Sequence, residues 1–395
     1  MPVNSWQFLL VAAAAVAFAR IADHVAIKRL GILTFNVVFI ATYLHDPLSA
    51  AVLGGLLASI YLAGQLRRKA ATRWTASAQM SVITILWAFL FLVKDPELLG
   101  SANPFSQFPV AIIGISYLVF RGISYLMESD LPKQTNLLDF LNYMLFFPAI
   151  LAGPIERYSS FTSQYLVPER DPTVVVPALH RIANGFIKKF CIADNLAPFS
   201  VSGIGDPAAS ASLVLWIAAL GQLLLIYLDF SGYCDIAIGL ARLMGIRVRE
   251  NFARPFAAVN VREFWDRWHV SMSSLMRDYV FTPITKVILS RTRRAWHWTL
   301  ITAAYFFVMV LIALWHGTAL GFLVFGVLHG GILAVIQMRQ RRSTPRRTTV
   351  APSQSIVQRT LLQAATYAFV SLTLVLWMAP NEQWLRFYFA MAGLR

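Results

Sequence analysis

About ten apolar runs, roughly 16 to 20 residues each, constrain this chain most, because that is near the length that crosses ~30 Å of hydrocarbon as a helix. They lie at 6–22, 31–44, 48–66, 77–93, 108–127, 137–152, 211–229, 299–315, 318–338 and 361–378, with short polar or proline-containing joints between them. Lipid offers the backbone no hydrogen-bond partners, so such a chain must form helices or a closed barrel. The runs lack the period-two alternation of a barrel strand. With 57% hydrophobic and 13% charged residues, the chain is too apolar for a soluble domain. The expectation is an all-α polytopic membrane protein, built as a single domain over 1–395 with ten to twelve full or partial crossings.

The net charge of +15 would suggest nucleic acid in a soluble protein. Here the basic residues cluster in the joints, which the positive-inside rule explains without nucleic acid. Arg67, Arg68, Lys69 and Arg73 form one cluster, Arg291, Arg293 and Arg294 a second, and Arg339, Arg341, Arg342, Arg346 and Arg347 a third. All three are expected in the cytoplasm, and counting back from the first puts Lys28 and Arg29 inside and the amino end outside. The first run lacks a basic leader and is followed by further spans, so it is expected to be a retained helix rather than a signal peptide. Stretches 173–195 and 231–295 are less apolar and suit interfacial or re-entrant helices. The Pro-, Ser-, Thr- and Arg-rich segment 339–355 is expected to be a flexible cytoplasmic loop. No internal repeat of the secondary-transporter kind is visible.

Within this apolar frame, Trp315, His316 and Gly317 interrupt the stretch from Trp298 to Met338. An ionisable residue in a span points to function by default. Both flanks of the stretch are basic, so it should rise and return, and a helix from Thr299 climbing about 25 Å at 1.5 Å per residue puts His316 in the outer half of the bilayer. Gly317 permits a bend or a close backbone approach there. The alternative is a buried histidine bonded to a helix carbonyl.

A second histidine lies in FWDRWHVSMSSLMRDYVF at 264–281. Trp265, Trp268, His269 and Met272 fall at helical spacing and are expected on one face of an amphipathic helix. Arg267 follows Glu263 by one turn, a favourable pair, and Arg277 and Asp278 need partners or water. The competing account is an interfacial helix anchored by its aromatic residues. Asp229 and Asp235 end an apolar run without the dense carboxylate set of a cation site, so capping or pairing with arginine is expected. His24, His45, His180, His297 and His329 show no zinc spacing, and no metal site is expected. His329 could line the same cavity as His316. Cys191 and Cys234 form neither metal spacing nor a disulfide framework and are expected to pack. Neither a serine elbow nor a phosphate loop nor a dinucleotide-binding glycine pattern occurs. Acid and base work by histidine, whose ordinary pKa is about 6.5, is the chemistry left.

DFSGY at 229–233, ENFARPF at 250–256, the 264–281 segment and LWHG at 314–317 together resemble the membrane-bound O-acyltransferase family. The resemblance runs in order from about Gly114 to Gly331. It implies a fold of about eleven transmembrane helices in a ring around re-entrant central pieces. It also implies His316 as the catalytic residue and His269 as a second functional histidine. Two bacterial branches fit. The stretch LLDFLNYMLFFPAILAGPIERY at 137–158 is similar to the teichoic-acid D-alanyl transfer branch, and DFSGYCDIAIGLARLMG at 229–245 to the alginate O-acetylation branch. The chain departs from the second by ending soon after Met378 and from the first by carrying Ser231.

The resemblance further implies a multi-pass enzyme of the bacterial cytoplasmic membrane. It would bind no cofactor and take an acyl thioester, on an acyl-carrier protein or coenzyme A, from the cytoplasmic side. The hydroxyl acceptor would be an extracytoplasmic polymer or reached through an accessory acyltransferase. His316 would act as general base, and His269 or backbone donors near Gly317 would stabilise the oxyanion. Trp265, Trp268 and Trp315 would line a dry passage, with Arg267 and Asp235 as outer supports. A proton-coupled transporter using the two histidines as a relay, and a non-catalytic subunit of a polymer-export complex, are the alternatives.

Overall fold

The structure, a computed structural model, describes residues 1–69, 76–95, 100, 103, 105, 112, 114–128, 135–167, 171–342, 355–379 and 383–394. Among these the chain is almost wholly helical, with no strand beyond an isolated bridge between Phe252 and Trp268. Among the described residues six helices are long and apolar enough to cross a membrane, as expected of a polytopic membrane protein. The chain divides into two compact units, 1–190 with 230–250, and 191–229 with 251–395.

The first unit begins with α1 (Trp6–Ile21), α2 (Val25–Ala41), α3 (Pro47–Lys69), α4 (Ala76–Lys94), α5 (Ile115–Met127) and α6 (Leu137–Met144), then α7 (Tyr158–Gln164) and α8 (Val175–Phe186). The bounds of α1, α3 and α4 follow the apolar runs, whereas α2 begins before its run and α6 ends at Met144, short of the run to 152; 108–111 and 113 of the fifth run lie outside the described residues. Several polar groups buried among these helices are matched, as burial favours. Asn36 donates to Asn142 at 3.1 Å and accepts from the Phe147 amide at 2.9 Å. Arg29 clamps Asp139, and buried Arg121 donates to the carbonyls of Tyr143 and Met144 at the end of α6. Two arginines of the first basic cluster also turn inward: Arg67 donates to the Leu126 and Glu128 carbonyls, and Arg68 to Thr135 with its guanidinium over the Tyr125 ring. Arg73 lies outside the described residues. The 173–195 stretch forms α8, a wider-wound turn at Ile187–Ala193 and the short α9 (Asp194–Leu196).

The seventh apolar run extends further than its hydropathy suggested. Helix α10 spans Ser212–Leu243, so Asp229 and Asp235 lie within it rather than at its end. Buried Cys234 packs as expected, whereas Cys191 is exposed.

In the second unit α11 (Val261–Arg267), α12 (Val270–Met276) and α13 (Thr282–Arg291) precede α14 (His297–His316) and α15 (Leu320–Arg342), followed by α16 (Ile356–Met378) and α17 (Gln383–Met391). Helix α15 runs through Arg342, so the expected loop from 339 begins later, and its 343–354 portion lies outside the described residues. Helices α14 and α15 form an antiparallel hairpin that packs closely at Gly326. A Cβ there would sit 2.8 Å from the Ala313 Cβ and 3.0 Å from the Val310 Cα. Replacing Gly326 by leucine is therefore expected to cost about 1–3 kcal/mol through overpacking. Thermal unfolding in detergent should show it as a lowered midpoint, while Gly331→Ala, where nothing lies within 4 Å, should leave the midpoint unchanged.

Candidate active site

The segment carrying His269 is not the single helix its spacing predicts. Asn260 caps α11 by accepting from the Glu263 amide at 2.9 Å, and the Glu263 carboxylate accepts from the Val259 amide at 3.1 Å, a reciprocal start. The helix stops at Arg267. Trp268 is extended, His269 is left-handed with φ 47° and ψ 49°, and α12 begins at Val270. A left-handed non-glycine residue persists only where its surroundings hold it. The hold here is the strand-like segment of the ENFARPF motif: Ala253 donates to the Arg267 carbonyl at 2.9 Å and Val270 to the Asn251 carbonyl at 3.0 Å.

The Asn251 side chain completes the clamp. Its Oδ1 accepts from the Ser271 amide at 3.1 Å and lies 3.2 Å from His269 Nδ1. A carbonyl oxygen can only accept, so Nδ1 carries the ring proton and Nε2 the lone pair. Burial pushes the pKa of His269 down to about 3, because a low-dielectric surround disfavours the imidazolium. His269 is thus a neutral imidazole with a fixed tautomer. That geometry suits hydrogen-bond acceptance at Nε2 better than donation to an oxyanion.

His316 is the last residue of α14, about 30 Å from its start at 1.5 Å per residue. It therefore sits at the opposite end from the basic cluster at 291–294. Trp315 joins the two histidines, with its ring centroid 6.3 Å from His269 and 4.3 Å from His316. On its other side His316 packs against Trp377 at 4.1 Å. Gly317 is fully extended, and a Cβ there would run into the Phe322 ring, so the close approach expected at this residue is present. The Gly317 amide makes no backbone hydrogen bond among the described residues.

The remaining residues singled out by sequence have different neighbours. Trp268 stacks on Phe264 and packs edge-on to Phe252. The Trp265 Nε1–H donates to His329 Nδ1 at 3.1 Å. The left-handed break at His269 is why Trp265, Trp268 and His269 do not form one stripe. Arg267 pairs with Glu263 as its spacing predicts, and Arg277 with Asp278 at 3.2 Å. Asp235, in the other unit, accepts from Arg181 at 3.0 Å and Lys188 at 2.7 Å, the pairing with arginine that was expected. Sequence patterns gave no individual role to Asn251, within the ENFARPF motif, or to Thr373 and Trp377 on α16, which share no local period with either histidine.

A cavity of about 230 Å³ lies within the second unit. Trp265, Ser273, Tyr305 and Ile312 line it together with the charged Arg262, Asp266 and Arg277, and Ile312 is one turn before His316. A larger cavity of about 480 Å³ in the first unit is bordered by Arg181, Arg242, Arg247 and Glu250. It contains none of the residues expected to carry chemistry, and its Arg181 is already bonded to Glu250 and Asp235.

The profile of MBOAT, the membrane-bound O-acyltransferase family, matches residues 79–375. The chain is 30% identical over 347 residues to the protein named probable alginate O-acetylase AlgI of Azotobacter vinelandii, covering 82% of this chain and 66% of that protein. It is 32% identical over 235 residues to a teichoic acid D-alanyltransferase of Bacillus subtilis, covering 57% and 58%. Against a peptidoglycan O-acetyltransferase of Helicobacter pylori it is 29% identical over 265 residues, covering 66% and 47%. The chain thus spans less than two thirds of the length of each of these relatives.

Two outcomes follow from the site. With the pKa of His269 lowered by burial, the unfolded chain binds one more proton than the folded chain between about pH 6.5 and pH 3. The contribution of His269 is complete above about pH 6.5 and falls by about 1.4 kcal/mol per pH unit below it. Denaturant unfolding of wild type and His269→Gln between pH 7.5 and 5.5 should show the variant losing less stability on acidification; parallel losses would contradict the neutral tautomer. Asn251→Leu leaves the buried Ser271 amide without its acceptor and is expected to cost about 1–3 kcal/mol, read as a lowered thermal midpoint in detergent.

Proposed function

The chain belongs to the membrane-bound O-acyltransferase family, and on that premise we propose that it moves an acetyl or D-alanyl group from a thioester to a hydroxyl of a cell-surface polysaccharide or polymer. The activities for which the relatives are named, acetylation of alginate and peptidoglycan and D-alanylation of teichoic acid, suggest the range of acyl group and acceptor. Transfer is direct or passes through a partner protein outside the membrane. The protein sits in the bacterial cytoplasmic membrane and draws its donor from the cytoplasm.

The observation that carries this reading is the placement of Trp315 against both histidines, at the end of a membrane-length helix. His316 takes the proton of the acceptor hydroxyl as its oxygen attacks the acyl carbon. The carbonyl becomes an oxyanion, which the Gly317 amide is available to receive. The C–S bond then breaks, and His316 returns the proton to the departing thiolate. Ester and thiol leave, and the imidazole is neutral again. His269, with its lone pair on Nε2, accepts a hydrogen bond and orients the hydroxyl before attack. Trp315 and Trp377 wall the His316 ring and limit water that would hydrolyse the thioester.

The 230 Å³ cavity supports a thioester donor. Its apolar wall suits an extended pantetheine arm, and Arg262 and Arg277 suit the phosphate that both an acyl-carrier protein and coenzyme A attach to that arm. Basic surface attracts either donor over a longer range.

The test is the acid released by mild alkali from cell-surface polymers of wild type, a deletion strain, and His316→Ala at equal membrane abundance. Release from the variant is expected to fall at least ~100-fold, the scale of one general base, and the acid that disappears identifies the acyl group. Wild-type release from His316→Ala would remove the catalytic assignment. Loss of polymer flux with unchanged acyl content per polymer would indicate a transporter or export subunit instead.

A further inference from the structure

His329, on α15, is completely buried yet belongs to neither member of the histidine pair. Its hydrogen bonds define its state. The Trp265 indole is a donor only, so His329 Nδ1 must accept it at 3.1 Å. Nε2 therefore carries the ring proton, which points to Thr373 Oγ1 at 2.9 Å. The Thr373 hydroxyl in turn lies 3.0 Å from the Phe369 carbonyl and 2.9 Å from the Val370 carbonyl, both on its own helix α16. Every polar atom of the imidazole is thus satisfied, and the ring is neutral with one fixed tautomer. The chain of donors ends on backbone oxygens. Such a chain cannot pass a proton onward, because its last member has no group to protonate.

The same ring is also a packing element. It stacks on Phe325 at 3.9 Å and 23°, Phe325 meets Trp377 at 4.5 Å, and Trp377 meets His316 at 4.1 Å. Through its other nitrogen His329 holds Trp265, four residues before His269. One buried side chain thus ties together α11, α15 and α16 and reaches the neighbourhoods of both histidines.

We infer that His329 is a positioning residue for acyl transfer: it fixes Trp265 and, through Phe325 and Trp377, the wall against which His316 works. It touches neither donor nor acceptor and exchanges no proton during turnover. This rests on the proposed acyl-transfer reading. Its physical basis is that hydrogen bonds at both ring nitrogens stop the imidazole from rotating, and a closely packed ring passes any displacement to its neighbours. A base held about 1 Å out of place can lose on the order of 100-fold in rate without loss of binding.

The test compares His329→Gln, His329→Phe and Thr373→Val with wild type, all in lipid nanodiscs. Glutamine can accept from Trp265 and donate to Thr373, phenylalanine keeps only the ring, and valine removes the Nε2 acceptor with little change of shape. Two measurements are made on each: steady-state acyl transfer from the thioester, and the rate at which diethyl pyrocarbonate labels His316, read by mass spectrometry. His329→Phe is expected to lower kcat by roughly 30–100-fold, within the range for a displaced base, while KM for the thioester stays within about twofold. Thr373→Val should fall in the same direction and His329→Gln should recover most of the loss. Labelling of His316 should change in His329→Phe and Thr373→Val and return toward wild type in His329→Gln. Wild-type kcat and wild-type labelling in His329→Phe, or equal damage in the phenylalanine and glutamine variants, would overturn the assignment. If wild type itself transfers no acyl group, the proposed function fails, and the labelling pattern alone decides whether His329 positions His316.

Discussion

The candidate site depends on a left-handed backbone at His269 and on the Asn251 side chain that holds it. That oxygen, shared by the Ser271 amide and His269 Nδ1, sets the imidazole tautomer. A continuous helix from 261 to 276 would point His269 along the same stripe as Trp265 and Met272. The break separates them. It lets His269 meet Trp315 while Trp265 turns to His329. The pairing of ENFARPF with the segment after it is therefore a mechanical device: a short strand-like contact that stops one helix and starts the next.

Three histidines of the second unit illustrate how context divides one side chain into separate tasks. His269 is buried and neutral, with its proton on Nδ1. His329 is buried with its proton on Nε2 and both nitrogens occupied. His316 is partly exposed at the end of α14, flanked by two indoles. Only the last combines partial exposure with a place at the end of a membrane-length helix, which fits the role of base. Trp315 and Trp377 give it an apolar wall, so the proton has few competing destinations.

Much of the fold was legible because lipid imposes a simple rule on sequence. Apolar length predicts helix length, and α1, α3, α4 and α14 follow their runs closely. The rule failed where polarity and helicity part company. Helix α10 continues through Asp229 and Asp235 because Arg181 and Lys188 satisfy Asp235, a compensation no local pattern reveals. Inward-turned Arg67 and Arg68 show the same thing for basic residues counted as a cytoplasmic cluster. At the site, His269 and His316 were visible from motif and family pattern. The break between Trp268 and Val270 was not, because helical spacing reads the same whether or not a distant asparagine interrupts it. Thr373 and Trp377 were invisible for a related reason: they lie on α16 and act only through tertiary contact.

The central claim is that one histidine moves one proton from acceptor to leaving thiol. Its most direct measurement is the stoichiometry and rate of ester and free thiol formed by purified protein in lipid nanodiscs, given labelled acyl thioester and polymer acceptor. The account predicts one thiol per ester for wild type. It predicts background ester formation by His316→Ala, with thioester binding retained. Ester formation by His316→Ala at the wild-type rate, or thiol release by wild type without any ester, would contradict it.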